Sequence, residues 1–172
     1  RGLTIAGMIL VNNPGSWTHV YPPLLHAKWH GWTPTDMVFP FFLWISGLAM
    51  TLSFARRKQG GADRPKLLLH ALRRGATIFL LGLLLNYFGR FDWSTVRIPG
   101  VLQRIGICYF CATALSLYLG RRGLALAGLA LLAVYTAGML GYGAPDPWAM
   151  ENNFARHVDG LLLSGHMWSQ TK

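Results

Sequence analysis

The residues most able to do chemistry lie in positions 24–46, LLHAKWHGWTPTDMVFPFFLWIS. There a polar segment carrying two histidines, two tryptophans and an aspartate runs straight into an apolar run that begins at Met37. His26, Trp29, His30 and Asp36 share eleven residues of it. A histidine titrates near neutral pH, so at the mouth of a membrane helix it can serve as a base or a nucleophile. A carboxylate such as Asp36 can orient that imidazole and stabilise its protonated form. Each residue also has a plainer reading. His26 is equally suited to hydrogen-bond a lipid headgroup, and His30 to face water. Asp36 is suited to the first turn of the following helix, where an acid complements the free N–H groups. His26 and His30 have the i, i+4 spacing of a ligand pair, but Gly31 and Pro34 interrupt the loop and no third ligand is in view. The expectation is no metal.

Two further polar residues stand out against apolar surroundings. Asn12 ends an otherwise apolar helix and either caps that end or faces a substrate. Arg104 falls about one turn into another apolar segment, after Gln103. An arginine among helices pairs with a fixed acid, here Asp36 or Asp92, or with an anionic ligand.

Composition says what kind of element must hold these residues. Of 172 residues, 52% are hydrophobic and only 13% charged, against about 25% charged in a soluble domain. Such a chain suits a surface made of lipid. The net charge of +10 does not point to nucleic acid, because the basic residues form short clusters between apolar runs. These are Arg56-Arg57-Lys58, Arg64 and Lys66, Arg73-Arg74, and Arg121-Arg122, the layout of cytoplasmic loops under the positive-inside rule. Cys108 and Cys111 have CxxC spacing but lie inside an apolar helix without a second pair, so buried thiols are expected rather than a disulfide or a zinc site.

Five membrane segments follow, giving an all-α, polytopic transmembrane bundle. They are a partial run up to Asn12, then about 37–55, 67–85, 101–119 and 124–142, the last four close to the roughly 20 residues a crossing needs. Arg73 and Arg74 are expected near the start of the third, able to snorkel to the cytoplasmic face. A short helix outside the bilayer is expected over 153–165. With the 56–66 loop inside, the Arg121-Arg122 turn is also inside, and the segments holding His26, Asp92 and Asp146 are outside. Ten of sixteen Lys and Arg residues then fall inside, and five of six acids outside. Six of seven tryptophans (17, 29, 32, 93, 148 and 168) sit near the outer boundary, as an aromatic belt does. Residues 1–172 are read as one domain, a fragment cut before or inside its first membrane helix and again at Lys172.

Several stretches, in order, resemble the heparan-alpha-glucosaminide N-acetyltransferase family. They are Arg1-Gly2-Leu3 through Val11-Asn12, His26-Ala27-x-Trp29-x-Gly31, and Thr35-Asp36-Met37-Val38-Phe39-Pro40. Arg97-Ile98-Pro99-Gly100-Val101-Leu102-Gln103-Arg104 follows, and more weakly Arg156-His157-Val158-Asp159 to Gly165-His166. The resemblance implies a polytopic enzyme that takes acetyl from cytosolic acetyl-CoA and delivers it to an amino sugar on the opposite face. It assigns catalysis to His26 and an important role to Asn12. The chain departs from the family pattern with Asn13-Pro14 after Asn12 and with a longer approach to His26 containing Pro22-Pro23.

The expectation is therefore acetyl transfer across a membrane. His26 and Asn12 are catalytic, and Trp29, His30 and Asp36 bind the acceptor. Arg104 and Arg74 bind the co-substrate acetyl-CoA through its phosphates. Expected partners are membrane lipid and an amino sugar, with a second copy of the chain as a candidate, and no nucleic acid. The expected location is the bacterial inner membrane, with the His26 loop extracytoplasmic. The competing expectation is an N-acetylglucosamine-related sugar transporter without catalysis, whose outer tryptophans stack on sugar rings.

Overall fold

The computed structural model describes residues 2–61, 63–88, 96–142, 145–151 and 153–166, apart from the side chains of Ala55, Lys58 and Gln59. Arg1, Asp92, Trp93 and Trp168, named above, lie outside the described residues. Every regular element among the described residues is helical: α1 (Gly2–Asn12), a 3-10 turn (Pro22–Leu24), α2 (Pro34–Gln59), α3 (Arg64–Tyr87), α4 (Val101–Tyr118), α5 (Arg121–Tyr142) and α6 (Phe154–Leu162). Four of them, α2 to α5, are long and apolar enough to cross a membrane. α1 has 11 residues, about 16 Å at 1.5 Å per residue, which is short of a hydrocarbon core. The chain divides into two compact units, residues 1–61 and 62–172.

In the first unit α1 packs on α2, with Gly7 on α1 leaving room for the Val38 side chain 3.8 Å from where a Cβ would stand. α2 opens with Pro34 at its first position, where the missing N–H costs nothing. Pro40 lies inside α2 and cannot donate to the carbonyl of Asp36 one turn back. Membrane helices tolerate such a break when neighbouring groups meet the freed carbonyl. The unit ends at Gly61, whose φ of 75° is the left-handed conformation that terminates helices at glycine.

In the second unit α3 and α4 run antiparallel and cross at Gly75 and Gly106. A Cβ on Gly75 would lie 2.8 Å from the Gly106 carbonyl oxygen, and one on Gly106 would lie 2.6 Å from the Gly75 oxygen. Small residues at both positions are what let the two backbones approach. Farther along, the Gln103 carboxamide fits between Gly82 and Gly100. Residues 96–98, just ahead of α4, are held from two sides. Asn86 Nδ2 donates to the Arg97 carbonyl at 2.7 Å. The His166 ring Nδ1 lies 2.9 Å from the Val96 carbonyl, and the Ile98 N–H donates to the His166 carbonyl at 3.1 Å. Because a carbonyl only accepts, Nδ1 of His166 carries the proton.

α6 docks on the end of α5. Asn153 caps it, accepting from the Arg156 N–H at 2.8 Å and donating to the Ala149 carbonyl at 2.8 Å. The Phe154 ring covers Gly138, where a Cβ would meet ring carbons at 2.8 Å. Most of the outward surface of these helices is aliphatic. Along α5, Leu126, Leu129, Leu131, Leu132 and Val134 are 63–71% exposed and Met139 is the one buried residue. A helix with so little buried surface is not stable in water on its own, and lipid is the solvent such a surface fits.

Three expectations are corrected here. Arg73 and Arg74 are not near the start of their helix. α3 begins at Arg64, so Arg74 is about 15 Å along it, because Asp63 and Pro65 start the helix ahead of the apolar run. Cys108 and Cys111 are free but exposed rather than buried. The helix expected over 153–165 stops at Leu162, where the chain turns through Leu163 to His166 with Gly165 at φ 86°.

Candidate active site

His26 and Asp36 come together in the first unit. His26 Nδ1 lies 2.6 Å from Asp36 Oδ1. The other carboxylate oxygen, Oδ2, accepts from the Ala27 N–H at 3.2 Å and the Thr33 N–H at 3.0 Å. The Thr33 hydroxyl stands 2.9 Å from Oδ2 and 2.7 Å from the Leu25 carbonyl, sharing its single proton between two acceptors. Four donors thus converge on one carboxylate, which favours its ionised, acceptor-only form.

Local sequence explains the arrangement. Thr33-Pro34-Thr35-Asp36 places an acid three residues after a threonine at a helix start, the spacing of a capping box. Asp36 reaches back to the Thr33 N–H and so closes the N-terminus of α2 with one oxygen, leaving the other for His26. The two readings of Asp36, helix-start acid and imidazole partner, are satisfied together. Thr35, buried beneath, donates to the Pro23 carbonyl at 3.1 Å and pins the 3-10 turn that leads into His26. Gly31 completes the loop at φ 126°, a conformation side-chain-bearing residues rarely adopt.

The tautomer of His26 follows. A carboxylate can only accept, so Nδ1 carries a proton, and in the neutral ring the lone pair is on Nε2. Nε2 makes no hydrogen bond with a described residue, and the His26 side chain is 63% exposed. Asp36, at 28%, is the more enclosed partner. An exposed, oriented imidazole with its proton held on the far nitrogen can abstract a proton or attack an acyl carbon. Beside this start of α2, a groove of about 500 Å³ runs between α1 and α2, lined by Leu3, Gly7, Trp32, Met37, Val38 and Phe41.

The other expected site residues are placed less closely. Trp29 and His30 meet edge to face with ring centroids 6.4 Å apart. Asn12 turns its amide back onto its own helix, donating to the Met8 carbonyl at 2.9 Å, which is its capping reading. Arg74, in the second unit, lies over the Tyr109 ring, 5.2 Å from its centroid. Arg104, at the start of α4, makes no ion pair with any described residue. Of its two expected acids, Asp36 is engaged by His26 and Asp92 lies outside the described residues. Burial first, and then the like charge of Arg104, pull the Arg97 guanidinium below its ordinary value. Among the described residues no group of three or more His, Cys, Asp or Glu side chains gathers as a metal site would require. Thr33 and the Ala27 N–H are parts of the site that the sequence reading missed, although the T-x-x-D spacing was the signal for the first.

The sequence profile described as "Heparan-alpha-glucosaminide N-acetyltransferase, catalytic" matches residues 1–154. The heparan-alpha-glucosaminide N-acetyltransferase of Mus musculus is 37% identical over 122 residues, covering 69% of this chain and 18% of that protein. The Homo sapiens protein of the same name is 37% identical over 121 residues, covering 68% of this chain and 18% of its own length. The chain spans less than a fifth of the length of these relatives.

Proposed function

The chain belongs to the heparan-alpha-glucosaminide N-acetyltransferase catalytic family, and from that premise we propose that His26 and Asp36 form the catalytic pair of a membrane acetyltransferase acting on an amino sugar. The observation that carries the proposal is the His26–Asp36 contact at 2.6 Å with Nε2 left without a described partner. The acetyl donor is acetyl-CoA, and the acceptor is the amine of a glucosamine-type sugar. The His26 loop faces the extracytoplasmic side, a sidedness supported by the basic clusters at Arg56-Arg57 and Arg121-Arg122.

His26 does the chemistry through Nε2. In one route Nε2 attacks the acetyl carbonyl, a C–N bond forms as the thioester C–S bond breaks, and the thiolate leaves. The sugar amine then attacks the acetyl-imidazole, a new amide C–N bond forms as the acetyl–Nε2 bond breaks, Nε2 recovers its lone pair, and the amine's proton passes to the released thiolate. In the other route Nε2 takes a proton from the sugar amine as its nitrogen attacks the thioester, the amide C–N bond forms as the C–S bond breaks, and the imidazolium gives that proton to the departing thiolate. In both, Asp36 holds the imidazole in one tautomer and stabilises the positive charge that it gains. Arg74 and Arg104 are assigned to phosphate recognition, since a guanidinium matches a phosphate with two parallel hydrogen bonds. Trp29 and His30, exposed beside the loop, offer ring faces to the sugar.

The test uses the full-length protein in proteoliposomes with radiolabelled acetyl-CoA and glucosamine. His26→Ala is expected to lower acetyl transfer by about 10³-fold. Incubation with acetyl-CoA alone, followed by peptide mass spectrometry, separates the routes, because acetylated His26 accumulates only in the first. Full transfer by His26→Ala would refute both. Sugar uptake that proceeds without acetyl-CoA would favour the transporter instead.

A further inference from the structure

α6 and the groove beneath it belong to the second unit, and the groove's lining shares no residue with the His26 site. The nine residues of α6 place Phe154, Val158, Leu161 and Leu162 at i, i+4, i+7 and i+8, one apolar face, with Arg156 and Asp159 on the opposite side. Phe154 packs on Gly138, one turn before α5 ends at Tyr142. That contact sets the start of α6 at the level where a membrane-spanning helix leaves the bilayer. The far end of the stripe is open: Leu161 is 71% exposed and Leu162 is 76% exposed. A short helix with this division of faces, joined to the end of a membrane span, lies in the interface with its apolar side among acyl chains.

A groove of about 280 Å³ opens at the same place, lined by Tyr142, Glu151, Asn153, Arg156, His157 and Leu161. Several of its polar groups are already engaged. The Asn153 amide caps α6, and the Tyr142 hydroxyl meets His157 Nδ1 at 2.7 Å, with the two rings stacked 4.4 Å apart. Glu151 and Arg156 are different. They line one groove yet form no ion pair with each other or with any other described residue, the only such pairs being His26–Asp36 and Lys66–Asp63. A carboxylate and a guanidinium facing one space without neutralising each other are complementary to a ligand that carries both charges.

We propose that this groove binds the headgroup of a phospholipid bearing a phosphate and a primary ammonium. Arg156 takes the phosphate, through the parallel hydrogen bonds its planar fork provides. Glu151 takes the ammonium. The acyl chains run over Leu161 and Leu162. A choline headgroup has no N–H to give Glu151, and a glycerol headgroup brings it no positive charge, so both bind less well. The proposal rests on α5 crossing a bilayer and is independent of the acetyl-transfer reading.

The test is lipid retention by the full-length protein. The protein is delipidated in detergent, offered equal amounts of ethanolamine, glycerol and choline phospholipids, and examined by native mass spectrometry. The ethanolamine lipid is expected to be retained over each of the others by about tenfold. Arg156→Gln is expected to lower retention of all three lipids by about tenfold, because each carries the phosphate, and Arg156→Lys, which keeps the charge, to restore most of it. Glu151→Gln is expected to shift preference toward the anionic glycerol lipid. Equal retention of the three lipids, a parent preference for the glycerol lipid, or an unchanged preference in Glu151→Gln each overturns the proposal.

Discussion

Replacing Asp36 by asparagine tests the site more sharply than deleting it, because the outcome follows from counting donors. Oδ2 faces three of them: the Ala27 N–H, the Thr33 N–H and the Thr33 hydroxyl. Oδ1 faces one, His26 Nδ1. An asparagine has a single oxygen and an NH₂ group that only donates. Placing the oxygen toward His26 would set the NH₂ against three donors, whereas placing it at the Oδ2 position sets the NH₂ against one. The second orientation wins. The NH₂ then points at Nδ1, which must become an acceptor, and the imidazole proton moves to Nε2. The variant folds, keeps its cap on α2, and presents the wrong tautomer to the substrate.

In a fully buried triad the same substitution costs about 10⁴ in kcat. Here His26 is 63% exposed and Asp36 28%, so water competes for both partners and eases the return to the active tautomer. The expected loss in kcat is about 10²-fold. The assay is the initial rate of acetyl transfer by the full-length protein in proteoliposomes, with KM measured separately for each substrate. Neither KM is expected to change much, because the defect is in protonation and not in binding. A kcat for Asp36→Asn within about threefold of the parent would refute the assignment of Nε2 as the reacting atom.

The helix crossing gives a paired prediction. Gly106→Ala puts a Cβ 2.6 Å from a backbone oxygen that cannot move cheaply, and thermal unfolding in detergent is expected to show a loss of about 1–3 kcal/mol. Gly128→Ala, with nothing within 4 Å, is expected to be neutral or stabilising by up to about 1 kcal/mol in the same measurement. At the loop, Gly31→Ala forces a side-chain-bearing residue to φ 126°; the expected cost is about 1–3 kcal/mol, read as a lower unfolding temperature together with a fall in kcat as His26 shifts. Arg74→Gln is expected to raise the KM for acetyl-CoA about tenfold with kcat little changed. Tyr109→Leu, which removes the ring under Arg74 but keeps the cation, is expected to leave that KM near the parent value; an equal rise in both variants would make the Arg74–Tyr109 contact structural.

What could be read from sequence, and what could not, divides by the distance over which each feature is encoded. The four spans were legible because each is a long apolar run, and length and hydropathy decide a membrane crossing with little help from the rest of the fold. The start of α4 at Val101 was read correctly, and those of α2 and α3 were misplaced for a physical reason. Thr33-Pro34-Thr35-Asp36 and Asp63-Arg64-Pro65 begin α2 and α3 in polar sequence, and a first-turn proline, joined at α2 by the Asp36 cap, rather than apolar periodicity marks these ends. The depth of Arg74 in α3 was misjudged from this displacement alone. Exposure of the two cysteines was also illegible, because an apolar helix reads the same whether a given face meets another helix or lipid.

The His26–Asp36 pair belongs to the local class, and that bears on how the site is made. Ten residues separate the two, and the hydrogen bonds that fix them come from within residues 23–36. The same carboxylate that orients the imidazole also closes the start of α2, so deleting it removes both functions, whereas asparagine keeps the cap and loses the orientation. The clasp of His166 on Val96 is the opposite case. It joins residues 70 apart in sequence, and nothing in either segment announces it. If site assembly depends on α2 capping, then moving the acid while keeping the helix start should separate the two roles. Asp36→Ala combined with Thr33→Asp supplies a new cap one turn earlier but leaves Nδ1 without its acceptor. Hydrogen exchange at the first turn of α2 is expected to return to the parent rate in that double variant while acetyl transfer stays low. Recovery of both together would mean that Asp36 acts only through the helix and that His26 needs no carboxylate.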